Sequence, residues 1–200
     1  MNLTKKQKSA LIGMILGDGL LQATSRKNAR LRLEHKAEHL EYLLWKTKIL
    51  PNLFQGKPKF LERIHPLTHK RYRYVRQQSN ASPVLGKLRA LFYPNGKKRI
   101  PKNLAKLLRD DIGFAIWYYD DGYYYPRDKC AYIYLGRILK QEADIAREAV
   151  EERFGIKSTI LDKKQKGFAL YFPPEESKKI RSIVEKYRVP VMAYKIPLTP

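Results

Sequence analysis

Residues 11–19, Leu11-Ile12-Gly13-Met14-Ile15-Leu16-Gly17-Asp18-Gly19, form an apolar run that closes on an acidic residue followed by glycine. Residues 114–122, Phe114-Ala115-Ile116-Trp117-Tyr118-Tyr119-Asp120-Asp121-Gly122, close in the same way. Aligned on the final glycine, Asp18 matches Asp121, 103 positions further along a chain of 200 residues. An offset of half the chain makes one building block used twice the simplest account of the sequence.

Both runs read as helices, and their ends carry the information. Thr4 is a helix N-cap with Gln7 placed to complete a capping box, and Asp110 or Asp111 caps the second helix. Gly19 and Gly122 read as stop signals, because glycine takes the left-handed conformation without steric penalty. Asp18, Asp120 and Asp121 then lie at helix C-termini, where the macrodipole is negative and an anion costs roughly 0.3–1 kcal/mol. Packing the two helices side by side brings Asp18 and Asp121 together and raises that cost. A divalent cation, which prefers carboxylate and carbonyl oxygens, resolves it. Gly13 and Gly17 share one helix face and suit a close helix–helix approach. The second run lacks this stripe, with Ile116 and Asp120 at the matching places.

Read in order, the chain alternates helices and paired strands. A helix over 4–17 is followed by strands at 20–24 and 29–34, a helix at 37–49, a hairpin of 59–64 with 71–77, and a helix at 82–92. Tyr93-Pro94-Asn95-Gly96-Lys97-Lys98-Arg99 is a turn-rich connector near the midpoint, dividing the chain into 1–95 and 96–200. The second part repeats the order: a helix at 111–120, strands at 123–125 and 131–135, a helix at 140–154, strands at 158–162 and 168–172, a helix at 174–187, and a tail. Helix, two strands, helix, two strands, helix, taken twice, predicts an α+β fold with antiparallel sheets, not a parallel βαβ sheet.

Forty-one Lys and Arg oppose 19 Asp and Glu, a net charge of +22 that points to a polyanion. No apolar run reaches the roughly 20 residues that span a bilayer. The basic residues are spread along the chain and not gathered on one amphipathic helix, which favours nucleic acid over a membrane surface. Met1-Asn2-Leu3-Thr4-Lys5-Lys6 runs straight into a helix without a signal-peptide core, so an intracellular protein is expected. One cysteine, Cys130, leaves no internal disulfide. His35 and His39 are four apart but lack a third zinc-type ligand nearby. In the strand at 29–34, Arg30 and Arg32 alternate with Leu31 and Leu33, which puts both arginines on one face. Arg71, Arg73 and Arg76 are interleaved with Tyr72 and Tyr74, a mixture suited to phosphate and guanine. Lys27, Lys70, Lys97, Arg127, Lys129, Lys163 and Lys164 supply further cations in turns. The same residues also suit a solvated sheet face or a charge-guarded edge strand.

The two runs, at this spacing, resemble the paired motifs of the single-chain LAGLIDADG homing endonucleases of the intron-encoded type. The likeness extends to Lys97-Lys98-Arg99-Ile100-Pro101 before the second motif and Tyr194-Lys195-Ile196-Pro197 near the end. It implies two pseudo-symmetric αββαββα halves, motif helices between them, and two sheets forming a saddle over the DNA major groove. It implies a monomer that cuts both strands of a long, asymmetric duplex with Mg²⁺ or Mn²⁺. Asp18 and Asp121 are then the metal-binding catalytic carboxylates, with the carbonyls of Gly17 and Asp120 as added ligands. Asp120 competes with Asp121 for this role; Asp121 is preferred because it immediately precedes glycine, as Asp18 does. Lys98 and Lys195 match basic residues bordering the site, where they would polarise water or stabilise the pentavalent phosphate. An RNA maturase acting on an intron RNA, or a DNA-binding regulator with an inactive site, would carry the same basic saddle.

Overall fold

A computed structural model describes residues 2–198. Helix α1, Lys5–Leu16, opens on the expected reciprocal cap: Gln7 N donates to Thr4 Oγ1, and Thr4 N to Gln7 Oε1, each at 3.1 Å. After α1 come β1 (Leu20–Ala23), β2 (Ala29–Lys36), a 3₁₀ turn (Ala37–His39), α2 (Leu40–Ile49), β3 (Lys59–Ile64), β4 (Arg71–Gln78) and α3 (Pro83–Phe92). A four-residue helix, α4 (Leu104–Leu107), precedes α5 (Asp111–Asp121), on which Asp110 accepts a cap hydrogen bond from Ile112 N at 3.2 Å. Then follow β5 (Gly122–Tyr125), β6 (Cys130–Gly136), α6 (Lys140–Phe154), β7 (Thr159–Asp162), β8 (Phe168–Phe172) and α7 (Pro174–Val184). The chain continues through 3₁₀ turns at Glu185–Tyr187 and Pro190–Lys195.

The α+β architecture and its internal repeat are as the sequence predicts. Each half holds a four-stranded antiparallel sheet, ordered β1-β2-β4-β3 in the first and β5-β6-β8-β7 in the second. Two local expectations change. The helix expected over 37–49 begins as a 3₁₀ turn, and the one over 174–187 stops at Val184. Helix α4 is too short to show periodicity. In the tail, a 3₁₀ turn carries Lys195 back to α5.

Helices α1 and α5 pack against each other and are buried over Ser9–Leu16 and Ile112–Tyr119, which is why neither has a polar face. Their backbones nearly touch. A Cβ on Gly13 would lie 2.1 Å from the carbonyl oxygen of Gly113, and one on Gly17 would lie 2.3 Å from Asp120 Oδ2. The Gly13/Gly17 stripe therefore does permit close approach, and its partner on α5 is Gly113. Gly19 and Gly122 serve a different purpose from the one expected. Neither is left-handed: Gly122 has φ −81°, and Gly19 is not among the positive-φ glycines. Both are pressed against the preceding helical turn, where a Cβ would come within 2.3 Å of the Met14 or Tyr118 carbonyl oxygen.

One face of each sheet closes the core, through Leu31, Leu33 and Val75 in the first and Ala131, Ile133, Leu170 and Phe172 in the second. The opposite faces are open. Because only Gly19 separates Asp18 from β1 and β5 begins directly after Asp121, each open face starts at an acidic helix end. No helix among the described residues is long and apolar enough to cross a membrane.

Candidate active site and nucleic-acid interface

Two half-sites flank the α1–α5 pair, each assembled from both helices. In one, Asp121 shares a cavity of about 410 Å³ with Gly17, Lys98 and Trp117. The Lys98 ammonium donates to the Gly17 carbonyl at 2.6 Å. In the other, Asp18 lines a cleft of about 230 Å³ with His35, Tyr42, Asp120 and Lys195. The Lys195 ammonium donates to the carbonyls of Tyr119 at 2.6 Å and Asp120 at 2.8 Å. The pattern is thus repeated: a carboxylate from one helix, a carbonyl from the other, and one lysine.

Both lysines are held from behind. Glu142 on α6 accepts from Ile100 N at 3.0 Å and pairs with Arg99 at 3.1 Å, fixing the segment that carries Lys98. Tyr118 OH donates to the Lys195 carbonyl at 3.0 Å, and Arg181 reaches the Pro197 carbonyl.

The electrostatics favour a cation. Burial, followed by the charges of Asp120 and Asp18, pushes the Asp121 carboxyl up to about 7. Asp18, whose side chain stays 47% exposed, is raised too, by partial desolvation and the nearby Asp120 charge. Desolvation lowers Lys98 and Lys195 against the pull of the aspartates. Asp18 and Asp121 therefore offer hard oxygen donors in a space that disfavours their negative charge, and a divalent ion fits that donor set.

Asp120 is a different kind of residue. Its side chain is fully buried and accepts from Lys46 Nζ at 2.9 and 3.1 Å, Tyr42 OH at 2.8 Å and Asp18 N at 3.1 Å. Burial pushes its carboxyl up, but the Lys46 charge and hydrogen bonds outweigh that and hold it below the usual carboxylate range. The Asp120 carboxylate is thus engaged by Lys46, Tyr42 and the Asp18 amide, while its carbonyl accepts from Lys195. Gly17, its counterpart on α1, leaves room for it.

Two residues here escaped sequence reasoning. Lys46 is 0% exposed, although a lysine in a chain this basic reads as solvated. His35, set aside as half of a histidine pair, is buried on β2 with Nδ1 3.5 Å from Asp18 Oδ2 and Nε2 unpartnered. Burial and Lys46 hold its pKa down to about 3, so it is neutral and the contact is not an ion pair. Ligand atoms of Asp18, His35 and Asp120 lie within 4.8 Å of one another. No signal in the sequence marks His35 except its place in the alternating strand after Leu33.

The basic residues distribute unevenly. Register places Arg30, Arg32 and Arg76 on the open face of the first sheet. Arg30 is held by Gln22 at 3.1 Å, and Arg76 and Arg63 both pair with Glu34 at 2.6 Å, whereas the Arg32 side chain has no hydrogen-bond or ion-pair partner among the described residues. Arg71 and Arg73 fall on the other face of the β3–β4 hairpin, in phase with Val75, so the five arginines do not form one surface. Lys27, Lys70, Arg127, Lys129 and Lys164 are exposed in hairpin turns with Lys163 half-buried, and Lys97 is exposed beside Lys98.

Two pseudo-symmetric halves joined through acidic helix ends, each end shared with the other half's carbonyl and a lysine, define a two-motif endonuclease-like architecture. The chain belongs to the LAGLIDADG DNA endonuclease family, whose profile matches residues 8–180. It is 25% identical to the probable intron-encoded endonuclease 1 of Wickerhamomyces canadensis, over 97% of this chain and 85% of that protein. It is 26% identical to DNA endonuclease I-ChuI of Chlamydomonas applanata, over 98% and 96%. It also matches protein RecA of Mycolicibacterium flavescens at 28% identity, over 97% of this chain and 47% of that protein. The chain thus spans about half the length of the RecA relatives it matches. Among solved structures, homing endonuclease I-WcaI bound to its DNA recognition sequence superposes with TM-score 0.88 at 25% identity, covering all of this chain and 89% of that one. I-DmoI in complex with DNA and Mn shares the fold at TM-score 0.52 and 16% identity, over 90% and 97%.

Proposed function

We propose that the protein is a site-specific double-strand DNA endonuclease that uses Mg²⁺ or Mn²⁺, with its halves, 1–95 and 96–200, each serving one strand of an asymmetric target. The observation that carries this reading is the duplicated half-site of carboxylate, opposed carbonyl and lysine, set at the origin of two open sheet faces. Divalent ions, when bound there, would supply charge neutralisation at phosphorus and a more acidic water. Asp121 with the Gly17 carbonyl, and Asp18 with the Asp120 carbonyl, would hold them. Lys98 and Lys195 face the same spaces and stabilise negative charge developing on the scissile phosphate. Arg32 and the turn cations take up the duplex, with Arg30 and Arg76 held in fixed orientations for base contact.

The test is cleavage selection from a random duplex library in Mg²⁺, followed by digestion of a plasmid carrying the recovered site. Linear product, lost when both Asp18→Asn and Asp121→Asn are introduced, supports the reading. Binding without cleavage in Mg²⁺ or Mn²⁺ would indicate a regulator, and preferential binding of structured RNA a maturase.

A further inference from the structure

The two open sheet faces are chemically unlike. Across the first sheet, one row of paired residues runs Leu20, Arg32, Gln78. The matching row of the second sheet runs Tyr123, Tyr132, Tyr171. Tyr125 and Tyr134, two residues along their strands, join the same face. In the first sheet the places of Tyr134 and its neighbour Ala169 are taken by Glu34 and Arg76. No strand residue on the open face of the second sheet is charged.

These tyrosines form an ordered, solvent-facing surface. Tyr123 is 44% exposed, Tyr125 38% and Tyr134 36%, high values for aromatic rings. Ring centroids are 4.5 Å apart for Tyr123–Tyr125, 5.1 Å for Tyr125–Tyr132 and 5.3 Å for Tyr132–Tyr171, mostly edge-on. Beneath them Cys130 and Ala169 are buried. The surface is continuous with the half-site, since Tyr134 lines the Asp121 cavity beside Lys98. Cations border it at both hairpin turns, where Arg127, Lys129 and Lys164 are exposed and Lys163 lies 5.0 Å above the Tyr132 ring. An aromatic, uncharged floor between cationic rims matches a duplex groove, with phosphates at the edges and bases at the centre.

From this, the geometry points to a division of base readout: the second sheet takes an A·T-rich half-site through thymine methyls, while the arginine-bearing first sheet takes the half-site containing guanines. The inference rests on the endonuclease reading above and adds what each half selects. Guanine in the major groove offers two acceptors that a guanidinium bridges and a single phenol hydroxyl cannot. Thymine instead presents a methyl that packs on an aromatic ring, together with one acceptor within reach of a hydroxyl. A tyrosine has few rotatable bonds, so holding it at an interface forfeits little entropy.

The test starts from the selected target and replaces thymine by deoxyuracil, which removes only the methyl, in one half-site at a time. Affinity of the intact protein should fall about fourfold per contacted methyl in one half-site only, as expected for burying one methyl group. In Tyr123→Ser that sensitivity should shrink, and in Arg32→Ala it should persist while guanine preference relaxes in the other half-site. A recovered site equally G·C-rich in both halves, or one indifferent to deoxyuracil, would overturn the division while leaving the endonuclease intact. Recovery of no specific duplex at all would instead contradict the endonuclease reading itself. Because the deoxyuracil comparison uses the unaltered protein, it stands even if a tyrosine variant folds poorly.

Discussion

Lys46 Nζ lies 2.9 Å from Asp120 Oδ1, and both side chains are fully shielded from solvent. This pair ties α2 to the C-terminus of α5, and through the Asp18 N–H bonded to Asp120 Oδ2 it also ties down α1. A buried charge left alone is far more costly than a buried pair. Lys46→Met should therefore destabilise the fold by roughly 3–5 kcal/mol. Adding Asp120→Asn should recover part of that loss. Denaturant unfolding of the three variants measures it; additive losses in the double variant would show that the two groups do not act as a pair.

The contact of Gly13 with the Gly113 backbone leaves no space for a methyl group. Gly13→Ala ordinarily stabilises a helix by about 1 kcal/mol. Here it should instead lower stability, because overpacking of this kind costs about 1–3 kcal/mol. Gly56→Ala is the control, since nothing lies within 4 Å of a Cβ there. Thermal melts of both variants decide between intrinsic propensity and packing.

These contacts also show which features the sequence made legible. The apolar-Asp-Gly repeat placed both motif helices, and the period-two alternation around Leu31 and Leu33 oriented the first sheet, because each rests on local pattern. Gly19 and Gly122 were found as helix ends for the wrong reason: steric pressure from a neighbouring turn leaves the same residue as a left-handed cap does. Lys46, His35 and Gly113 were invisible as site or packing residues. Their roles come from partners 74 to 100 positions away, or across a sheet, and no window of sequence contains those partners. Tyr123, Tyr125, Tyr132 and Tyr134 share one face only through the strand register, which no single stretch of sequence shows.

Glu142 anchors the Lys98 segment through Ile100 N and Arg99 without reaching the half-site itself. Glu142→Gln should leave the protein folded but loosen Lys98. Loss of a partner that orients a site residue commonly lowers activity about 10- to 100-fold. The deficit should fall mainly on one strand, so nicked circles accumulate before linear DNA. Equal slowing of both cuts would place Glu142 outside the Asp121 half-site.

Lys164 is exposed at the β7–β8 turn. If it contacts phosphate, Lys164→Ala should weaken binding similarly for all sequences. It should also flatten the dependence of log affinity on log salt by about 0.9. Affinity titrations across a range of salt concentrations give the slope; an unchanged slope removes Lys164 from the interface.

Under the proposed function, each of the two half-sites cuts one strand. Strand-resolved digestion of a supercoiled plasmid bearing the selected target, with single Asp18→Asn and Asp121→Asn variants, tests this most directly. Each variant should produce nicked circles, cut in opposite strands, with little linear product. Linear DNA from either variant at the unaltered rate, or nicks in the same strand from both, would contradict it.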